Sequence, residues 1–167
     1  MEGQGISRIE ILIVGLVIGL LGLAAVLAIM NARAQARDAV RLSDVRQVQA
    51  GLEMYFNDSS EYPKWSTSFA IGEASTACLS DSGFSASCNQ STDTVYLDLV
   101  PAPPRTGLDG MVECSGIKDS YCYFSSGQSY LISFELEKNN SLLGLGKGAN
   151  CATERGFQLG ACPIPAQ

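Results

Sequence analysis

The chain contains no histidine. That absence removes the base on which serine and cysteine nucleophiles usually depend. None of its six cysteines stands in a C-x-x-C pair, so the common structural zinc patterns and the dithiol redox motif are missing too. Gly144-Leu145-Gly146-Lys147-Gly148 is glycine-rich, but it lacks the G-x-x-x-x-G-K-[ST] spacing of a phosphate loop and no strand–helix unit surrounds it. These glycines are expected to serve backbone turns. Neither a catalytic residue nor a small-molecule substrate is expected. Basic residues are also scarce: 11 Lys and Arg stand against 17 Asp and Glu, and residues 59–167 carry −5 of the net charge of −6. Bulk electrostatics of that sign does not favour nucleic acid.

What the chain does have is an uncharged run from Ile11 to Met30. Its 20 residues span about 30 Å as a helix, the thickness of a bilayer core. A cleaved secretory signal has a core of only about 7–15 apolar residues behind a basic start. Here the run is longer, and Met1-Glu2-Gly3-Gln4-Gly5 holds no Lys or Arg. A plain membrane anchor fits the run but not Glu10, which sits at its mouth. An acid costs roughly 2.5–3.5 kcal/mol at the centre of a membrane helix and less toward its end. A carboxylate in that position calls for a partner, and another copy of the same chain can supply one.

Gly5, the apolar Ile6, Glu10 as the fifth residue after the glycine, and then about twenty apolar residues resemble the class III signal of type IV pilins and type II secretion pseudopilins. The resemblance implies cleavage between Gly5 and Ile6 by a prepilin peptidase and N-methylation of the new terminus. Gly19 stands where the family often has a glycine. The leader is short and lacks a basic residue, while Arg8 and Leu27 occupy places where an apolar residue and a proline are commoner. After cleavage the α-amine of Ile6 would be cationic, with a reference pKa near 7.7–8.0. The Glu10 carboxylate of a neighbouring copy could pair with it in a low-dielectric setting. Such a pair fixes axial register as much as it adds affinity.

Beyond Met30, residues 31–58 are rich in good helix formers, and only Gly51 interrupts Asn31–Leu52. Leu42, Val45, Val48, Leu52, Tyr55 and Phe56 recur at three- and four-residue spacings, with Gln49 as the polar exception. Arg41 and Arg37 occupy that side one and two turns earlier, so a head is expected to pack from about Leu42 onward. Arg33, Arg37 and Arg41 read as a solvated face, with Asp38 and Asp44 each three residues from Arg41 and available for pairing. Asn57-Asp58-Ser59-Ser60 is the expected stop. Arg37-Asp38-Ala39, Asp44-Val45-Arg46-Gln47, Leu52-Glu53-Met54-Tyr55 and Tyr62-Pro63 extend the pseudopilin resemblance to about residue 63.

In residues 59–167 a globular head is expected. Residues 66–94, rich in Ser, Thr, Ala and Gly, read as a long loop with room for one short helix or strand, which the resemblance implies is variable surface. A sheet is expected at about residues 95–137. Val95–Val100 has strand composition, and Tyr121–Ser125 and Tyr130–Glu137 form a hairpin around Ser126-Gly127-Gln128-Ser129. In its second strand Tyr130, Ile132, Phe134 and Leu136 make one apolar face, which should cover the helix stripe. Residues 139–167 read as a glycine- and cysteine-bearing tail. Cys78, Cys88, Cys114, Cys122, Cys151 and Cys162 all follow the apolar run; an even count on one side points to three disulfides in an oxidising compartment. Six cysteines allow 15 pairings; pairing of sequence neighbours, Cys78–Cys88, Cys114–Cys122 and Cys151–Cys162, is expected. The arginines after the run place the same segment in the cytoplasm by the positive-inside rule, and the cysteines outweigh them. Some pseudopilin heads hold calcium, and Glu135, Glu137, Asn139 and Asn140 could supply oxygens. Such residues are more often solvated, and no cofactor is expected. Asn57, Asn89 and Asn139 each open an N-x-S sequon, a pattern short enough to recur by chance.

The expected fold is α+β: a long N-terminal helix, half transmembrane and half amphipathic, packed on a small antiparallel β-sheet head. Residues 1–5 are the leader, 6–30 the transmembrane and assembly half of the helix, and 31–58 the amphipathic half. The resemblance implies a structural subunit of a type IV pilus-like filament. Its partners are copies of itself, a prepilin peptidase and a membrane assembly machinery, and its head lies outside the cytoplasm. A type II secretion pseudopilin and a membrane-anchored binding domain that never assembles are the alternatives.

Overall fold

The computed structural model describes residues 8–163; the leader and the Gly5–Ile6 junction lie outside the described residues. Helix α1 (Arg8–Ser59) is 52 residues long, about 78 Å at 1.5 Å per residue. Ser60 turns into the left-handed region (φ 57°), and its amide donates to the Phe56 carbonyl at 2.7 Å. That closes the last turn without the usual glycine. Two residues further on, Tyr62 N–H donates to Gly127 O at 2.7 Å and ties the chain to the head.

The head holds ten short strands: β1 (Trp65–Ile71), β2 (Cys78–Ser80), β3 (Gly83–Ser85), β4 (Val95–Leu97), β5 (Glu113–Cys114), β6 (Ile117–Lys118), β7 (Tyr121–Ser125), β8 (Tyr130–Leu136), β9 (Gly148–Thr153) and β10 (Gly156–Leu159). The principal sheet is antiparallel in the order β1-β7-β8-β9-β10. The β7–β8 hairpin has the expected register, with Ser125 opposite Tyr130 and Cys122 opposite Ser133. Along β8, Tyr130, Ile132, Phe134 and Leu136 are buried. They join Leu42, Val45, Val48 and Leu52 of α1 in one core with Tyr62, Tyr123 and Ala152. The α+β arrangement is therefore the expected one, a long apolar N-terminal helix carrying antiparallel sheets.

Three boundaries differ from the sequence expectation. Residues 66–94 are not one loop: β1 forms an edge of the principal sheet, and β2 and β3 pair in a second sheet ordered β3-β2-β4. The Ser/Thr-rich composition masked a division of labour, in which Trp65, Ser66 and Thr67 face solvent while Phe69, Ala70, Ile71, Leu79 and Phe84 are buried. The run Val95–Val100 yields only a three-residue strand, and it belongs to the second sheet. The segment after Asn139 is no mere tail, since β9 and β10 supply two strands of the principal sheet. Glycines open both strands, Gly148 at φ 89° and Gly156 at φ 113°, conformations that L side chains rarely adopt. The turn chemistry was visible in the sequence, and the strands between the turns were not.

Candidate functional site

The helix divides sharply at residue 33. Every residue from Arg8 to Arg33 is exposed, including the whole uncharged run. That bare segment is about 39 Å long by the helix rise, and α1 is long and apolar enough to cross a membrane. Glu10 lies on it, exposed, two residues after Arg8. Gly5 and Ile6, the expected cleavage and methylation residues, lie outside the described residues. Among the described residues, nothing in the head reaches back to the glycines at 15, 19 and 22, around which no atom outside the helix comes within 4 Å of a Cβ position. A helix that is apolar all round is normally buried, in a protein core or in a membrane.

Packing begins at Ala34, two helical turns before the expected Leu42, and it begins with charge. Arg41 is fully buried and Asp38 nearly so. The reading of these arginines as a solvated face is therefore corrected, with Arg33 alone keeping to it fully. The Arg37 guanidinium grips Glu137 with two bonds, Nε to Oε1 at 2.7 Å and Nη2 to Oε2 at 2.6 Å. Arg41 Nη1 donates to Asp38 Oδ1 and Glu137 Oε1, both at 2.7 Å. Its Nε and Nη2 donate to the Pro104 carbonyl, and Nη2 also to Thr106 O at 2.8 Å. Every N–H of this guanidinium has an acceptor. Asp38 in turn accepts the backbone amides of Glu137 and Lys138, both at 2.9 Å. The network joins one face of α1 to the end of β8 and to the 101–107 loop.

Gly107 (φ 82°) leaves room for it: a Cβ there would lie 2.1 Å from Glu137 Oε2. Glu137 is held below the usual carboxylate range, chiefly by the Arg37 hydrogen bond and then by Arg41. The same bond raises Arg37. Asp44, the other expected partner of Arg41, instead accepts the Tyr121 hydroxyl at 2.9 Å. Burial pushes both members of that pair up, Tyr121 most of all. Gln49, the polar break in the stripe, donates to Tyr130 Oη at 3.2 Å and to Thr153 O at 2.8 Å. Its amide therefore pins the helix to β8 and β9.

The residues considered for calcium are engaged within the protein. Glu135 accepts the amides of Asp109 (2.6 Å) and Met111 (2.8 Å), which holds the Leu108–Met111 segment. Glu137 is taken by the two arginines, and Asn139 accepts the amide of Lys147 at 2.7 Å. Among the described residues, no group of three or more His, Cys, Asp or Glu is placed to hold a metal ion.

The cysteines are joined as Cys78–Cys88, Cys114–Cys122 and Cys151–Cys162. Each bridge closes a strand connection: β2 through β3, β5–β6 onto β7, and β9–β10. The head is thus stapled in three places, and the ion network fixes it to the stem.

Sequence reasoning missed the Arg37–Asp38–Arg41–Glu137 network. Its signal was present, because Asp38 and Arg41 extend the Leu42–Val45–Val48 face by one turn and stand at pairing distance from each other. No family model, curated protein or solved structure matches this chain.

Proposed function

We propose that this chain is the structural subunit of a type IV pilus-like filament, assembled by bundling of its bare half-helices. The observation that carries the reading is a rigid division of labour. A disulfide-stapled head is clamped to residues 34–59 of a continuous helix, whose remaining residues, Arg8–Arg33, are apolar between their ends and exposed among the described residues. In the bilayer lipid covers that rod; in the filament other rods replace the lipid. Van der Waals packing and the approach permitted by Gly15, Gly19 and Gly22 then favour the exchange.

Glu10 supplies the register. It is the one carboxylate of the exposed rod, and in the filament it pairs with the methylated α-amine that processing leaves on Ile6 of the adjacent copy. The partners are a prepilin peptidase, further copies of the chain and the membrane machinery that extracts them. The head stays outside the cytoplasm, where its disulfides persist.

The test is the mass of the N-terminus of the protein isolated from its native cells. The account expects loss of the first five residues and one added methyl on Ile6. An intact Met1 on a molecule that sediments as a monomer contradicts it and favours the anchored, non-assembling domain.

A further inference from the structure

The bare helix fixes how far the head stands from the bilayer. The uncharged stretch ends at Arg33, and the head begins at Ala34 with no spacer between them. The headgroup layer extends about 5–7 Å beyond each face of the hydrocarbon core, the rise of roughly four helical residues. With the rod in the membrane, the lower rim of the head therefore rests on lipid headgroups.

The topology identifies that rim. Strand β8 runs down the helix, from Tyr130 beside Gln49 to Glu137 beside Arg37 and Arg41, and β9 returns to Thr153 beside Gln49. The β8–β9 connection, residues 137–147, is thus the membrane-proximal turn of the head. At its tip Leu142 is 96% exposed, the most exposed large apolar side chain among the described residues. Lys138 precedes it, exposed, and neither Lys138 nor Arg33 has a carboxylate partner among the described residues.

Two basic side chains without a carboxylate partner among the described residues and one bare leucine at this rim match the chemistry of an anionic membrane surface.

We propose that, before assembly, the head docks on the bilayer through the 138–142 turn. Leu142 enters the interface, and Lys138 and Arg33 bind anionic lipid headgroups. The docked head holds the helix at a fixed depth and tilt, and leaving for the filament requires releasing this contact. The inference rests on the membrane-spanning reading of α1.

The experiment uses the full chain in phosphatidylcholine vesicles with and without phosphatidylglycerol. The native Trp65 is replaced by Phe, and a reporter tryptophan is placed by Leu142→Trp or, as a control, by Leu23→Trp. Brominated lipids report burial. The account expects quenching at 142 that requires phosphatidylglycerol and is unchanged by diluting protein in lipid. Lys138→Gln should weaken it on the order of fivefold, the effect of removing one basic charge at an anionic surface. Quenching at 23 without quenching at 142 overturns the docking proposal and leaves the span intact. Burial at 142 that rises with protein density also overturns it, because a neighbouring copy is then the occupant. Absence of quenching at 23 removes the span, and with it both readings.

Discussion

Arg41 is the side chain on which the stem–head junction turns. Its charge is buried at the centre of the network. Removing one member of a buried ion network costs about 3–5 kcal/mol because the remaining charges are left uncompensated. Arg41→Ala is therefore expected to destabilise the head by that amount, as measured by the urea midpoint followed through Trp65 fluorescence. A loss under about 1 kcal/mol, the usual worth of a surface pair, would show that Glu137 and Asp38 find other partners. Glu137 gives the junction a pH dependence. Its folded value is depressed, so its contribution is complete above the unfolded carboxylate value of about 4.3 and is lost as pH falls through the lower folded value. Asp44 is raised and acts oppositely, its ionisation costing stability as pH rises from about 3.9 through its folded value. Glu137→Gln is expected to flatten the acid limb of stability against pH below about 4, and an unchanged limb would assign acid lability elsewhere.

Gly51 shows how helix and sheet are fitted together. It is the one glycine in the packed half of α1, where it costs about 1 kcal/mol in helix propensity relative to alanine. Packing explains it: a Cβ at this position would lie 2.6 Å from Leu97 Cγ of β4. Overpacking of this kind costs about 1–3 kcal/mol, which meets or exceeds the propensity gain. Gly51→Ala is expected to leave the stability unchanged or lower it by up to about 2 kcal/mol, with the disturbance confined to the β3-β2-β4 sheet in amide exchange. A clear stabilisation would mean that Leu97 moves aside freely.

The same contact illustrates what the sequence could reveal. The helix, its stop at Ser59–Ser60 and the β7–β8 hairpin were legible because each rests on local patterning: periodicity, turn residues and strict alternation. The pairing of sequence-neighbour cysteines was legible because each bridge closes a local hairpin. Strand β9 was not, because Gly, Ala and Asn are poor strand formers, nor was β10 with only four residues; β1 and β4 were not, because their partners β7 and β2 lie across intervening segments. The Arg41 network was hidden for the same reason. Its acceptors at Pro104, Thr106 and Glu137 lie 63 to 96 residues away, so a guanidinium at helical spacing read as solvated.

Taken as one body, the protein is a rod with a head fixed at one end, and the fixing matters to what the rod can do. The clamp at residues 34–41, the pins at Gln49 and the shared core hold the head at one axial position. A register set at Glu10 is therefore carried along a continuous helix to the head. In the proposed filament, where a contact between copies repeats without closing, Glu10 is the group that selects the repeat. The decisive measurement is the amount of sedimentable filament sheared from cells expressing Glu10→Ala, beside the unaltered chain. The account predicts that filaments disappear while the variant remains in the membrane at normal abundance, with its three disulfides formed. Filaments of normal yield and morphology from Glu10→Ala would contradict it.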